Sequence, residues 1–194
     1  MIDYLTHYYS IDKEPFQSLS ALPDEEALKI MVELADDTPY GERFKNPAQY
    51  LQNRKATERW VRQAFIAKGG RPKDGYPIPT VLGSSQWLVE SAPKREKHGE
   101  IRIPLSILTS EDVSFTYPDS MISRWFGRKK PGEFYQAELH GIVFTLPEIL
   151  AIVAERGMPE EDWEIKLPKH LAPYIEAQVW NRELLLEYWR GLKT

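Results

Sequence analysis

Residues 174–192, YIEAQVWNRELLLEYWRGL, carry two hydrophobic periods in succession, and their reading decides the fold. Ile175, Ala177 and Val179 alternate with Glu176 and Gln178, the period of a strand with one buried face. From Leu184 to Leu192 the spacing changes to that of a helix. A single helix across both halves is the alternative, but its apolar residues would wrap nearly all the way round it. Strand followed by helix is therefore the preferred reading. It points to an α+β domain with a mixed or mainly antiparallel sheet, four to six strands by ordinary sheet sizes, and helices packed on it.

Working outward, two helices are marked at both ends. The first follows Asn46 as cap and Pro47 at its first position, ends at Gly69-Gly70, and should run about 30 Å. Tyr50, Ala56, Trp60, Val61, Ala64 and Phe65 supply its buried side. The second begins at Thr145, with Glu148 completing a capping box and Phe144 and Ile149 placed as a hydrophobic staple. Gly157 ends it, and a strand over Gly141–Phe144 feeds it. Leu22-Pro23-Asp24-Glu25-Glu26 opens another helix, with Leu28, Met31, Val32 and Ala35 on its apolar face. Strands are expected within Met1–Ser10, at Ile78–Leu82 with edge-type prolines, at Glu100–Leu105 and at Val113–Tyr117. Ser84 or Ser85 caps a short helix through Glu90, Lys94–Glu100 reads as a loop, and Asp119 or Ser120 starts a helix through Trp125 or Phe126.

With 194 residues, 42% apolar and 28% charged, one domain spanning residues 1–194 can bury an adequate core. No repeat or low-complexity linker divides it. The 6 Trp, 10 Tyr and 7 Phe exceed what a minimal core needs, so some rings are expected to line a groove or a partner surface, which leaves a homodimer open. The absence of Cys removes disulfides, thiolate metal sites and a Cys nucleophile. Met1 to Ser20 carries Asp3, His7, Asp12 and Glu14 and fits no signal peptide, and no apolar run is long enough for a membrane span. Cytoplasm is the expected compartment.

The net charge of −4 argues against a dedicated nucleic-acid coat. Charge is nevertheless uneven. Residues 54–73 hold seven cations against Glu58, and residues 24–37 hold six acids against Lys29. Two helices side by side with complementary solvated faces explain this most simply.

No P-loop, dinucleotide fingerprint, nucleophile elbow, paired-His zinc motif or calcium loop occurs in the sequence. Neither a metal nor a cofactor is expected. Five weaker candidates remain. Lys68 and Arg71 flank a glycine turn whose amides could approach a phosphate, although a helix carbonyl end opposes an anion there. Arg124, Trp125 and Arg128 interleave ring and cation, as single-stranded nucleic acid or an anionic ligand requires. Glu138 and His140 would share a face if they lay on a strand, where a carboxylate can raise imidazole basicity. Asp119 stands at a strand-to-helix turn, a common ligand position and equally a helix cap.

The fifth candidate is a pairing at long range. Tyr4-Leu5-Thr6-His7-Tyr8 resembles the His-bearing early strand of ADP-ribosyltransferase-like enzymes, and Glu176-Ala177-Gln178 resembles their glutamate-bearing late strand. That resemblance implies His7 holding a nicotinamide nucleotide and Glu176 polarising the ribose or acceptor. The expected function is a binding protein, for a small molecule or a protein, with an aromatic and basic groove near Arg124 and Trp125. The alternative is an enzyme acting on a nucleotide-like or phosphorylated small molecule through His7, His140 or Glu176. Single-stranded nucleic-acid binding ranks third because the chain is acidic.

Overall fold

The computed structural model describes residues 2–35, 44–91, 98–159 and 167–193. Strands β1 (Tyr4–Ser10), β2 (Ile78–Leu82), β3 (His98–Pro104), β4 (Val113–Thr116) and β5 (Glu176–Val179) form one antiparallel sheet in the order β3-β1-β2-β5-β4. Helices α1 (Asp24–Ala35), α2 (Pro47–Ala67), α3 (Gln86–Ser91), α4 (Ser120–Lys129), α5 (Leu146–Arg156) and α6 (Arg182–Gly191) pack with it into one compact α+β body. None of the paired strands meets its neighbour through a hairpin. Helices α1 and α2 separate β1 from β2, and α4 and α5 separate β4 from β5.

Register assigns each residue to a face. Leu5 pairs with Leu82 and Ile103, and Phe115 pairs with Ala177, so these share one side. That side belongs to the main core with Ile78, Val113 and Val179, together with Phe126 of α4, Ile149 of α5 and Leu185 and Leu186 of α6. Thr6 pairs with Val81, Val81 and Thr116 with Glu176, and Ser114 with Gln178. The second face is therefore largely polar. It is nonetheless buried, because α2 crosses it: Phe65 stacks on Trp180 with ring centroids 6.3 Å apart, and both are fully buried. A linear hydrogen-bond chain satisfies part of this face. Trp180 Nε1 donates to Ser114 Oγ, Ser114 Oγ to Gln178 Oε1, and Gln178 Nε2 to Thr116 Oγ1, each at 2.9 Å.

The helix ends follow the local signals. Asn46 Oδ1 accepts the Gln49 amide at 3.2 Å, Ser85 Oγ accepts that of Leu88 at 3.3 Å, and the Thr145 amide donates to Glu148 at 2.7 Å. Asp119 caps α4 through the amides of Met121 and Ile122. Lys55 of α2 pairs with Asp24 of α1, joining the basic and acidic stretches.

Several expectations change. Gly141–Phe144 forms a single bridge, Phe144 to Phe115, because the loop approaches β4 at that point alone. Helix α4 continues past Phe126 to Lys129 and closes on Lys130 in the left-handed region. Residues 98 and 99, expected in a loop, extend β3 because β1 offers seven paired positions, while residues 94–97 lie outside those described. Strand β2 is central despite Pro79. Its ladder with β1 covers only Leu5–Leu82 and Thr6–Val81, and beyond them the His7 side chain meets the Pro79 carbonyl at 3.0 Å. Val32, expected on the apolar face of α1, is 55% exposed, because Ala27 and Met31 face α2 in its place.

Candidate functional site

Along α2, Leu51, Arg54, Glu58, Val61 and Phe65 follow one another at intervals of three and four, the stripe a helix turns inward. Leu51, Val61 and Phe65 fill hydrophobic clusters, while the two charged members face an opening above the polar side of the sheet. This opening is a cavity of about 970 Å³. Thr6, Tyr8, Val81 and Glu176 come to it from the sheet, and Asn46, Gln49, Tyr50 and Asn53 from α2 and its cap. Trp87, Tyr174, Phe44 and the start of α4 at Asp119–Ser120 close the sides. Trp87 and Tyr174 have ring centroids 5.8 Å apart, and Phe44 meets Tyr50 edge-on at 5.0 Å. Tyr8 contributes a ring whose hydroxyl accepts the Ser85 amide at 3.0 Å.

Three charged groups meet at the floor. Arg54 Nε lies 3.0 Å from Glu58 Oε1 and donates to Ser20 Oγ at 3.2 Å. The Glu58 side chain is only 6% exposed, and its Oε2 is sealed from water without a hydrogen-bond partner. Glu176 is half-buried, and its Oε2 accepts the Ser120 amide at the start of α4. Burial pushes the Glu58 carboxyl above the usual carboxylate range. Arg54 opposes that shift and the nearby Glu176 adds to it. Burial works against the Arg54 charge as well, yet Glu58, Tyr50 and Glu176 together raise its pKa.

Of the residues singled out in the sequence, Asp119 and Glu176 line this cavity. His7 does not, because it alternates with Thr6 and Tyr8 and so lies on the opposite face of β1 from them. Its Nδ1 donates to the Pro79 carbonyl and its Nε2 accepts the Phe16 amide at 2.9 Å. Burial lowers its pKa to about 4, although the Pro79 bond favours the proton. Phe16 has φ +59° and packs 4.8 Å from the imidazole, so His7 holds the chain that follows β1 in place. The structure thus separates His7 from Glu176 and places them on opposite sides of the sheet.

His140 sits in consecutive turns after α4, so its strand spacing with Glu138 does not apply. Its Nδ1 accepts the Gln136 amide at 3.0 Å, and its buried Nε2 has no partner. Phe126 stacks on the ring at 4.2 Å, and burial lowers its pKa to about 4 against the pull of Glu138. Glu138 turns away to Arg156 at 3.3 Å. Among the described residues no three His, Asp or Glu side chains group as a metal site.

Lys68 and Arg71 are ion-paired with Glu148 and Glu111, at 2.8 and 3.4 Å. Arg124 donates to Thr57 Oγ1 at 3.3 Å, joining α4 to α2. Burial, Arg128 and Arg59 all lower its pKa, the mark of a cationic cluster, and Trp125 beside it is 44% exposed. That surface stands outside the cavity lining.

Sequence reading overlooked Arg54, Glu58 and the polar sheet face. The signal for the first two was limited to their i, i+4 spacing on α2. No protein-family model, curated protein or solved structure matches the chain.

Proposed function

We propose that this is a small-molecule-binding protein whose site is the cavity between α2 and the polar face of the sheet. One observation carries the reading: an ion pair with an unsatisfied carboxylate oxygen is buried beside a second carboxylate in the wall of an aromatic-sided cavity. Burying such groups costs stability that apolar side chains of similar size would not. Charged groups perturbed by burial and a specific partner cluster at functional sites. The volume falls within the roughly 300–1,000 Å³ of small-molecule sites, and a few convergent polar groups among rings is their usual composition. The test is a fragment screen read by protein NMR. Ring-bearing hits should shift the amides of Asn53, Ser120 and Tyr174 together. Hits confined to Arg124 and Trp125 would move the site to that surface.

The second reading is catalytic. Glu58 is sealed and pushed toward its protonated form, whereas Glu176 is more open and held by a backbone amide. Two carboxyl groups in unlike surroundings are how acid–base enzymes divide their roles. Glu176 keeps a part in this reading and His7 has none. A phosphorylated substrate is disfavoured, because Arg54 is already paired with Glu58 and three carboxylates outnumber the two cations, Arg54 and Lys45, that line the space. The reading requires that Glu176→Gln abolish turnover of a bound compound while leaving its binding within severalfold.

A further inference from the structure

The charges in the cavity wall do not balance, and the imbalance specifies a ligand. Arg54 stands against both Glu58 and Glu176, and its raised affinity for its proton draws on both. One cation, Arg54, therefore acts on two carboxylates; Lys45 also lines the cavity, so with Asp119 counted two cations stand against three carboxylates. Asp119 also borders the space, but the amides of Met121 and Ile122 occupy its Oδ1. Glu176 has the Ser120 amide on Oε2 and no ion pair among the described residues. Glu58 Oε2, sealed behind it, has nothing. In a low-dielectric site an uncompensated carboxylate either takes up a proton or acquires a counter-charge. Burial and the neighbouring Glu176 push the Glu58 carboxyl above its ordinary range while Arg54 pulls it down, so a further positive charge at the floor would relieve both carboxyl groups.

We infer that the ligand is a small organic cation, an amine or guanidine carried on a ring or short apolar body, whose charge Glu176 receives at the cavity floor. The walls suit that chemistry. Tyr8, Tyr50, Trp87 and Tyr174 surround the opening, and aromatic faces attract a desolvated cation through their quadrupoles. Asn53 supplies a neutral hydrogen-bonding side chain to the lining. An anionic ligand would have Lys45 but would face Glu176 and Asp119 with Arg54 already paired, and a neutral one would leave the excess of carboxylates uncompensated.

This inference rests on the cavity being the ligand site, and three probes of one shape separate the two claims. Benzylamine (a cation near neutral pH), benzyl alcohol and benzoate are titrated into the full chain. The amide resonances of Ser120 and Asn53 serve as reporters. The cation should bind about tenfold more tightly than the alcohol, the scale of a partly desolvated cation–ring contact, and benzoate more weakly than either. In Glu176→Gln, whose amide oxygen can still accept from Ser120, the preference for the cation should vanish. If that variant does not fold, the three-probe comparison on the native chain decides alone. Equal or tighter binding of benzyl alcohol or benzoate at these amides would overturn the cationic ligand and leave the cavity as the site. No shift at the cavity with any probe would remove both.

Discussion

Arg54 and Glu58 show how one turn of helix can combine stability and site. Their side chains occupy positions where the flanking Leu51 and Val61 are buried, so each depends on the other for its charge. Arg54→Met should therefore cost about 3–5 kcal/mol at neutral pH, because it leaves a buried carboxylate without its cation. That deficit should shrink as pH falls. Without Arg54 the Glu58 pKa rises further, and a carboxyl whose folded pKa is raised loses stability as pH climbs through that value. Replacing both residues, Arg54→Met with Glu58→Leu, should recover most of the loss in urea unfolding. A double variant as unstable as the single one would mean that the pair is structurally indispensable. The pairing of Arg54 with Glu58 was legible as an i, i+4 spacing. Its burial was not, because a solvated pair has the same spacing and only the sheet beneath α2 distinguishes them.

At the scale of elements, α4 shows what local signals can and cannot specify. Residue types alone put its start at Asp119 or Ser120, and the structure makes Asp119 the cap and Ser120 the first residue. Its packing depends on a close backbone crossing: a Cβ placed on Gly127 would lie 2.7 Å from the Gly141 Cα, and one on Gly141 would lie 2.5 Å from the Gly127 Cα. Gly141 also has φ +76°. The crossing brings Phe126 against His140 and lets the Ser123 hydroxyl accept the Gly141 amide at 3.0 Å. Gly127→Ala and Gly141→Ala should each destabilise by roughly 2 kcal/mol or more, since backbone cannot yield as a side-chain tip can. Thermal unfolding of the two variants checks this. An unchanged midpoint for either would show that the helix can slide away from the turn. The glycines were visible in the sequence, but nothing near either one announced the other.

For the molecule as a whole, pH is the most direct probe of the buried histidines. Both have folded pKa values of about 4 against an ordinary 6.5, so the unfolded chain binds their protons first. Their contribution is fully present above pH 6.5 and is lost as pH falls toward 4, by about 1.4 kcal/mol per pH unit for each histidine. Urea midpoints measured between these limits should fall with that sign. His140→Phe should flatten the slope, and an unchanged slope would mean that His140 protonates freely in the folded state. Among the described residues, no helix is long and apolar enough to cross a membrane.

The sequence by itself determined most of the elements. Caps at Asn46, Asp119 and Thr145, the stop at Gly157 and the change of period after Val179 each act within a few residues, and local hydrogen bonds decide them. Only the tertiary structure decided that β1 lies between β2 and β3, that Pro79 stands in a central strand, and that His7 and Glu176 face opposite sides of the sheet. The physical reason is distance along the chain. Every strand pairing joins segments separated by dozens of residues, so register and facing follow from which surfaces can be buried together. The cavity belongs to that second category, because α2, the sheet and the start of α4 build its walls jointly and none of them encodes it alone.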